Sequence, residues 1–167
     1  FNDIMTPQYI YIGYDTRFSF QKIKTNLING IKSKSQSINI VDYGKVTTPQ
    51  HHYLVSIESQ NVDDYINKFN KLREFNLDFS NITIDCANGI GYYPLHKLQN
   101  LHKLDYTLIN TNVDKYTLLN HNCGTDFIIS NNELPSHNIS DSFGCSLDGD
   151  ADRFIFYYHD NKLNILD

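Results

Sequence analysis

The sequence predicts an α/β fold, and three features of it lead there. Short runs rich in aromatic and β-branched residues alternate with longer stretches whose apolar residues recur at helical spacing. Tight polar turns separate the two kinds of segment. Hydrophobic residues make up 40% and charged residues 20% of the 167 positions, the balance of a folded chain with a core rather than a disordered one. Alternation of this kind argues for layers of helix on sheet.

In chain order, Tyr9 to Tyr14 is a strand and Asp15-Thr16-Arg17 the turn after it. Phe20, Ile23, Leu27 and Ile31 predict an amphipathic helix, with Gly30 near its end. Ser37 to Tyr43 is a second strand, stopped by Gly44. Thr48 followed by Pro49 signals a helix start, with Thr48 as the cap and Pro at the first helical position. Val62, Ile66, Phe69 and Leu72 predict a further amphipathic helix. The polar stretch Glu58 to Asn61 before it reads as a domain boundary, dividing the chain into residues 1–60 and 61–167.

The pattern then repeats. Ile82 to Cys86 is a strand, Asn88 to Gly91 a tight turn, and Leu95, Leu98 and Leu101 mark a helix. Tyr106 to Ile109 is a strand, and the apolar run Phe127 to Ile129 reads as another. Phe143 to Leu147 leads into an acidic loop and Phe154 to Tyr158 leads out of it. A hairpin turn at His159 to Lys162 opens the last strand. The chain begins with Phe1 rather than Met and stops at Asp167 within strand-like sequence, so the expectation is a piece of a longer protein.

The formal net charge is −5, and no Lys/Arg cluster forms a basic face, which argues against a nucleic-acid partner. No apolar run has the length of a membrane span. The three cysteines are odd in number and lack a Cys-x-x-Cys spacing, which favours a reducing, cytoplasmic setting over a disulfide or zinc framework.

Chemistry concentrates in Asp148-Gly149-Asp150-Ala151-Asp152-Arg153. Three carboxylates at alternate positions converge only if the backbone turns, and Gly149 and Ala151 are small enough to let it. Their hard oxygens suit Mg²⁺ or Ca²⁺. An EF-hand is ruled out: counting from Asp148, the positions that need Gly and Glu hold Arg153 and His159. Arg153 fits either a phosphoryl group held between cation and guanidinium or an internal ion pair with aspartate. Asn88 to Gly91 has two readings, a phosphate nest or a structural turn. Arg17 likewise suits a phosphate or a helix-entry ion pair. Ser136-His137-Asn138 imitates a nucleophile beside a base, but adjacent residues in a polar loop seldom face each other. His51-His52 falls on a predicted helix, where neighbours point apart.

The run Ser146 to Arg153 resembles the metal loop of the α-D-phosphohexomutase family. Asp42 to Gln50, Asp85 to Gly91, Cys123 to Phe127 and Tyr157 to Asp160 are similar, in order, to segments of its phosphoacetylglucosamine branch. The resemblance implies layered α/β/α domains with a mixed sheet, the tail of the first domain in 1–60 and most of the second in 61–167. It implies a phosphomutase that interconverts the 6- and 1-phosphates of an amino sugar through a phosphoserine, toward UDP-N-acetylglucosamine. Asp148, Asp150 and Asp152 match the family's Mg²⁺ ligands, and Arg153 matches the arginine beside the phosphoserine. The family serine lies in a Thr-Ala-Ser-His-Asn-Pro motif that the 167 residues lack; at 136–138 Pro135 and Ile139 stand where that motif has Ala and Pro. The chain alone is therefore expected to be inactive without the remaining mutase domains. A mutase for glucose, mannose or glucosamine phosphate, and a non-catalytic metal-binding relative, are the alternatives.

Overall fold

The computed structural model describes residues 9–75, 78–135, 143–160 and 162–166. Strand β1 (Tyr9–Tyr14) pairs in parallel with β2 (Asn39–Lys45) as a two-stranded sheet, crossed over by helix α1 (Phe20–Lys34). The pairing slips by one residue at Ile12/Gly13, opposite Gly44, whose φ of +72° only glycine adopts without strain. Tyr43, Val46 and Leu54 form the small core between this sheet and helix α2 (Thr48–Ser56).

Helix α2 starts one residue earlier than the sequence suggests. Thr47, not Thr48, is the cap: its hydroxyl accepts from the Gln50 N–H, and the Gln50 side chain accepts from the Thr47 N–H. This reciprocal box satisfies two otherwise orphaned donors, and Pro49 follows within the first turn. The helix expected from Val62 to Leu72 is broken in two. Helix α3 (Asp63–Asn67) ends early, and the chain tightens into a 3₁₀ turn over Asn70–Glu74. Asn67 and Asn70, both weak helix formers, flank the break.

The larger sheet has the order β4-β3-β5-β6-β7. Strands β3 (Ile82–Asp85), β4 (Thr107–Ile109) and β5 (Phe143–Leu147) run parallel. Strands β6 (Phe154–Asp160) and β7 (Lys162–Leu166) return antiparallel, so the sheet is mixed. Helix α4 (Tyr92–His102) connects β3 to β4. The run at Phe127 is not a strand: helix α5 (Thr125–Asn131) occupies it. Gly124, at φ +85°, turns the chain, Asp126 sits favourably in the first turn, and Asn132 closes the helix in the left-handed region. Ile128 is fully buried against Ile155 and Tyr157, so tertiary burial overrides the β-branched preference. Ser136-His137-Asn138 and the hairpin residue Asn161 lie outside the described residues.

Candidate metal centre

The acidic loop joins the ends of two neighbouring antiparallel strands, β5 and β6. It closes on itself: the Ala151 N–H donates to the Asp148 carbonyl at 3.2 Å, and the Asp148 N–H donates to the Arg153 carbonyl at 3.2 Å. Ala151 takes φ +59°, which a small residue tolerates more readily than a branched one. The turn brings one carboxylate oxygen each from Asp148, Asp150 and Asp152 within 4.8 Å of one another. Three hard oxygen donors at this spacing fit a small divalent cation that fills its remaining positions with water or phosphate oxygens.

The three carboxylates have different surroundings. Asp148 is 5% exposed. Its Oδ1 accepts from the Asp152 and Arg153 N–H groups at 3.1 and 3.3 Å, and its Oδ2 accepts from Arg153 Nε at 3.1 Å. Burial raises its pKa above the usual carboxylate value, with the Asp152 and Asp150 carboxylates adding to the rise and Arg153 opposing it. A cation would relieve this crowding of like charge. Asp150 is half-buried and faces α2, where its Oδ2 accepts from the Thr48 hydroxyl at 2.6 Å and its carbonyl accepts from the Thr48 N–H at 3.0 Å. Asp152 is exposed.

Arg153 has its side chain 55% exposed and its guanidinium held by two aspartates. Its terminal nitrogens donate to both oxygens of Asp126 at 2.8 and 3.1 Å, a bidentate fork, while Nε holds Asp148. The Asp126 bonds, then those to Asp148, raise the Arg153 pKa further, and Arg153 lowers that of Asp126. A fork of this kind presents the geometry that also binds phosphoryl oxygens.

Beneath the loop lies a carboxylate with 0% exposure, Asp85. Its Oδ1 accepts from the Ala87 N–H at 2.9 Å and Asn110 Nδ2 at 2.8 Å; its Oδ2 accepts from the Gly124 N–H at 2.7 Å and the Ser146 hydroxyl at 2.5 Å. One side chain thus ties the ends of β3, β4 and β5 to the start of α5. The Asn88–Gly91 turn serves the same purpose. The N–H groups of Asn88, Gly89 and Ile90 go to Asn110, Cys86 and Gly149 carbonyls, which commits them to structure rather than to a phosphate. A Cβ on Gly89 would lie 2.8 Å from Gly149 Cα, so the turn and the acidic loop pack backbone to backbone.

A cleft of about 400 Å³ opens beside Asp150, between the end of β1 and the starts of α1 and α2. Arg17 lines it but is paired with Asp15 at 2.8 Å. His51 and His52 line it too, their ring centroids 6.3 Å apart and their planes tilted by 60°, with His51 Nε2 3.3 Å from the Tyr11 carbonyl. Of the residues singled out from sequence, the structure joins Asp148, Asp150, Asp152 and Arg153, and places His51 and His52 in the neighbouring cleft that Asp150 also borders. Sequence reading missed Asp85, Asp126 and Thr48. Asp85 carried a signal, being a carboxylate at the end of an apolar strand, where burial demands partners.

The mixed sheet and the acidic loop between its antiparallel strands define the phosphohexomutase class. A crystal structure described as N-acetylglucosamine-phosphate mutase, a member of the alpha-D-phosphohexomutase superfamily, in the substrate complex, superposes with a TM-score of 0.83 at 32% identity, over 99% of this chain and 34% of that one. Residues 42–155 match the family model for phosphoacetylglucosamine mutase AMG1, domain II, and the chain belongs to that family. Phosphoacetylglucosamine mutase 1 of Schizosaccharomyces pombe is 33% identical over 95% of this chain and 35% of its own length. The Aspergillus fumigatus N-acetylphosphoglucosamine mutase, solved in complex with GlcNAc-6P and magnesium, has a TM-score of 0.83 at 27% identity, covering 98% of this chain and 37% of that one. The chain spans about a third of the length of the curated relatives it matches. Among the described residues, no helix is long and apolar enough to cross a membrane.

Proposed function

We propose that these residues carry the metal loop of a phosphoacetylglucosamine mutase, which interconverts N-acetylglucosamine 6-phosphate and N-acetylglucosamine 1-phosphate. The observation that carries the reading is the convergence of Asp148, Asp150 and Asp152 beside a forked Arg153, in a chain of this family. Asp148, Asp150 and Asp152 would hold Mg²⁺. When bound, Mg²⁺ supplies Lewis-acid stabilisation of the charge on a transferring phosphoryl group. Asp148 orients the Arg153 guanidinium through Nε, and Asp126 keeps its outer nitrogens pointed along one direction. Arg153 exchanges the Asp126 oxygens for phosphoryl oxygens and stabilises their charge during transfer.

The phosphoryl donor is a phosphoserine that the 167 residues do not supply, since they contain no Thr-Ala-Ser-His-Asn-Pro run. The tail of the first mutase domain lies in residues 1–60 and most of the second in 61–167, a division supported by the polar stretch after α2, although the match to the second-domain family model reaches back to residue 42. The remaining mutase domains complete the site, the enzyme is cytoplasmic, and its product leads to UDP-N-acetylglucosamine. The family match supports the acetylated amino sugar over glucose, mannose or glucosamine phosphates.

The test is an assay of the complete enzyme against the 6-phosphates of all four sugars, with Asp150→Asn beside the wild type. N-acetylglucosamine 6-phosphate should be turned over best, and the variant should lose most activity and its metal dependence. Equal turnover of glucose 6-phosphate would refute the sugar assignment. Full activity of Asp150→Asn with unchanged metal dependence would refute the metal assignment. Mutase activity in the 167-residue chain alone would refute the missing-donor reading.

A further inference from the structure

Asp150 differs from its two neighbours in what holds it. Asp148 is gripped from within the loop, and Asp152 is exposed. Asp150 is fixed from outside, by a residue 102 positions earlier in the chain. The Thr48 hydroxyl donates to Oδ2 at 2.6 Å, and the Thr48 N–H donates to the Asp150 carbonyl at 3.0 Å. The first bond aims the carboxylate, and the second fixes the backbone that carries it.

We infer that Thr48 is a positioning residue for the cation: its hydroxyl, bound to Oδ2, presets the Asp150 carboxylate that turns toward Asp148 and Asp152. The inference rests on the metal reading of the acidic loop. Three features support it. Thr48 occupies the first turn of α2, whose cap at Thr47 and Gln50 is closed on both sides, so Thr48 is held in place independently of Asp150. Its own hydroxyl is not needed for capping and is free to serve the carboxylate. A carboxylate aimed in advance loses less side-chain freedom on binding a cation, and removal of such supporting hydrogen bonds costs metal affinity about ten- to hundredfold. Because α2 also walls the cleft beside Asp150, the same contact sets the ligand's position against whatever fills that cleft.

The experiment measures Mn²⁺ affinity of the full chain by electron paramagnetic resonance, with metal-free thermal unfolding followed in parallel. The variants are Thr48→Val, Thr48→Ser and Asp150→Asn. The expected result is about tenfold or greater weakening for Thr48→Val, near-native affinity for Thr48→Ser, and loss of the site in Asp150→Asn. Thr48→Val keeps its N–H bond to the Asp150 carbonyl, so its metal-free melting should stay close to the wild type. If Val disturbs folding, Thr48→Ala carries the same comparison against Ser. Native affinity in Thr48→Val or Thr48→Ala, with Asp150→Asn still abolishing binding, would overturn this inference alone. Unchanged affinity in Asp150→Asn would overturn it together with the metal reading. Equal weakening in Thr48→Ser and Thr48→Val would also overturn it, since the hydroxyl would then have no part.

Discussion

Replacing Asp85 with alanine should cost this chain more stability than any other change to a single polar side chain near the site. Asp85 is fully buried and receives four hydrogen bonds of 2.5 to 2.9 Å. Two come from backbone N–H groups, of Ala87 and Gly124, which have no freedom to turn elsewhere. Leaving a buried donor unsatisfied costs about 1–3 kcal/mol, so Asp85→Ala should lose roughly 2–6 kcal/mol from these two groups. Ser146 and Asn110 can rotate toward other partners and add less. Against a total stability of about 5–15 kcal/mol, this is a large share. Asp85→Asn keeps the shape and both Oδ1 bonds but turns an N–H₂ toward the Gly124 N–H, so it should cost about 1–3 kcal/mol. Urea denaturation followed by far-ultraviolet circular dichroism reads both, as a lowered midpoint at constant slope. The damage should reach the acidic loop, because Ser146 lies two residues before Asp148. A loss below about 1 kcal/mol in Asp85→Ala would refute the claim that this carboxylate organises the strand ends.

Further outcomes follow from the same geometry. Gly89→Ala should push the acidic loop away, because its Cβ would lie 2.8 Å from Gly149 Cα and 2.9 Å from Gly149 C; a cost of about 1–3 kcal/mol and weakened metal binding are expected, by urea melting and Mn²⁺ titration. Asp126→Asn should change stability by less than about 1 kcal/mol, because the Arg153–Asp126 pair is largely exposed, with side chains 55% and 67% accessible. The pair's contribution is present above the unfolded pKa of Asp126 and lost as pH falls through its lowered folded value, so any difference between variant and wild type should vanish in acid. Burial pushes the Cys123 and Cys145 thiols up from 9.0 to about 12 and raises Cys86 as well. Between those values the unfolded chain binds fewer protons, so stability should be full below pH 9 and fall as pH rises toward 12, together with faster alkylation by iodoacetamide. Stability that is flat across that range would refute the burial of these thiols. Millimolar Mg²⁺ should raise the melting temperature of the wild type and leave that of Asp150→Asn unchanged.

The acidic loop and the strands around it were legible because their signals are local. Alternation of carboxylates with Gly149 and Ala151 shows in the sequence, as do β-rich runs on both sides. Helix α5 was not legible. Phe127, Ile128 and Ile129 read as a strand by residue preference, and only the burial of Ile128 beneath Ile155 and Tyr157, together with the turn at Gly124, makes them helical. The cap of α2 slipped by one residue because Thr47 and Thr48 are equal by type; the Gln50 side chain, which closes on Thr47, separates them.

By itself the sequence determined the α/β class, the three aspartates of the loop, and the arginine after them, since each depends on residues adjacent in the chain. The tertiary structure decided which groups hold those residues in place. Asp126, Asp85 and Thr48 lie 27, 61 and 102 positions from their partners Arg153, Ser146 and Asp150. Contacts over such separations arise from how the sheets and helices pack, and no spacing rule encodes them. The acidic loop brings three carboxylates together by its own turn, but which of them is buried, which is aimed and which is left to solvent is set by α2, α5 and the strand ends beneath it.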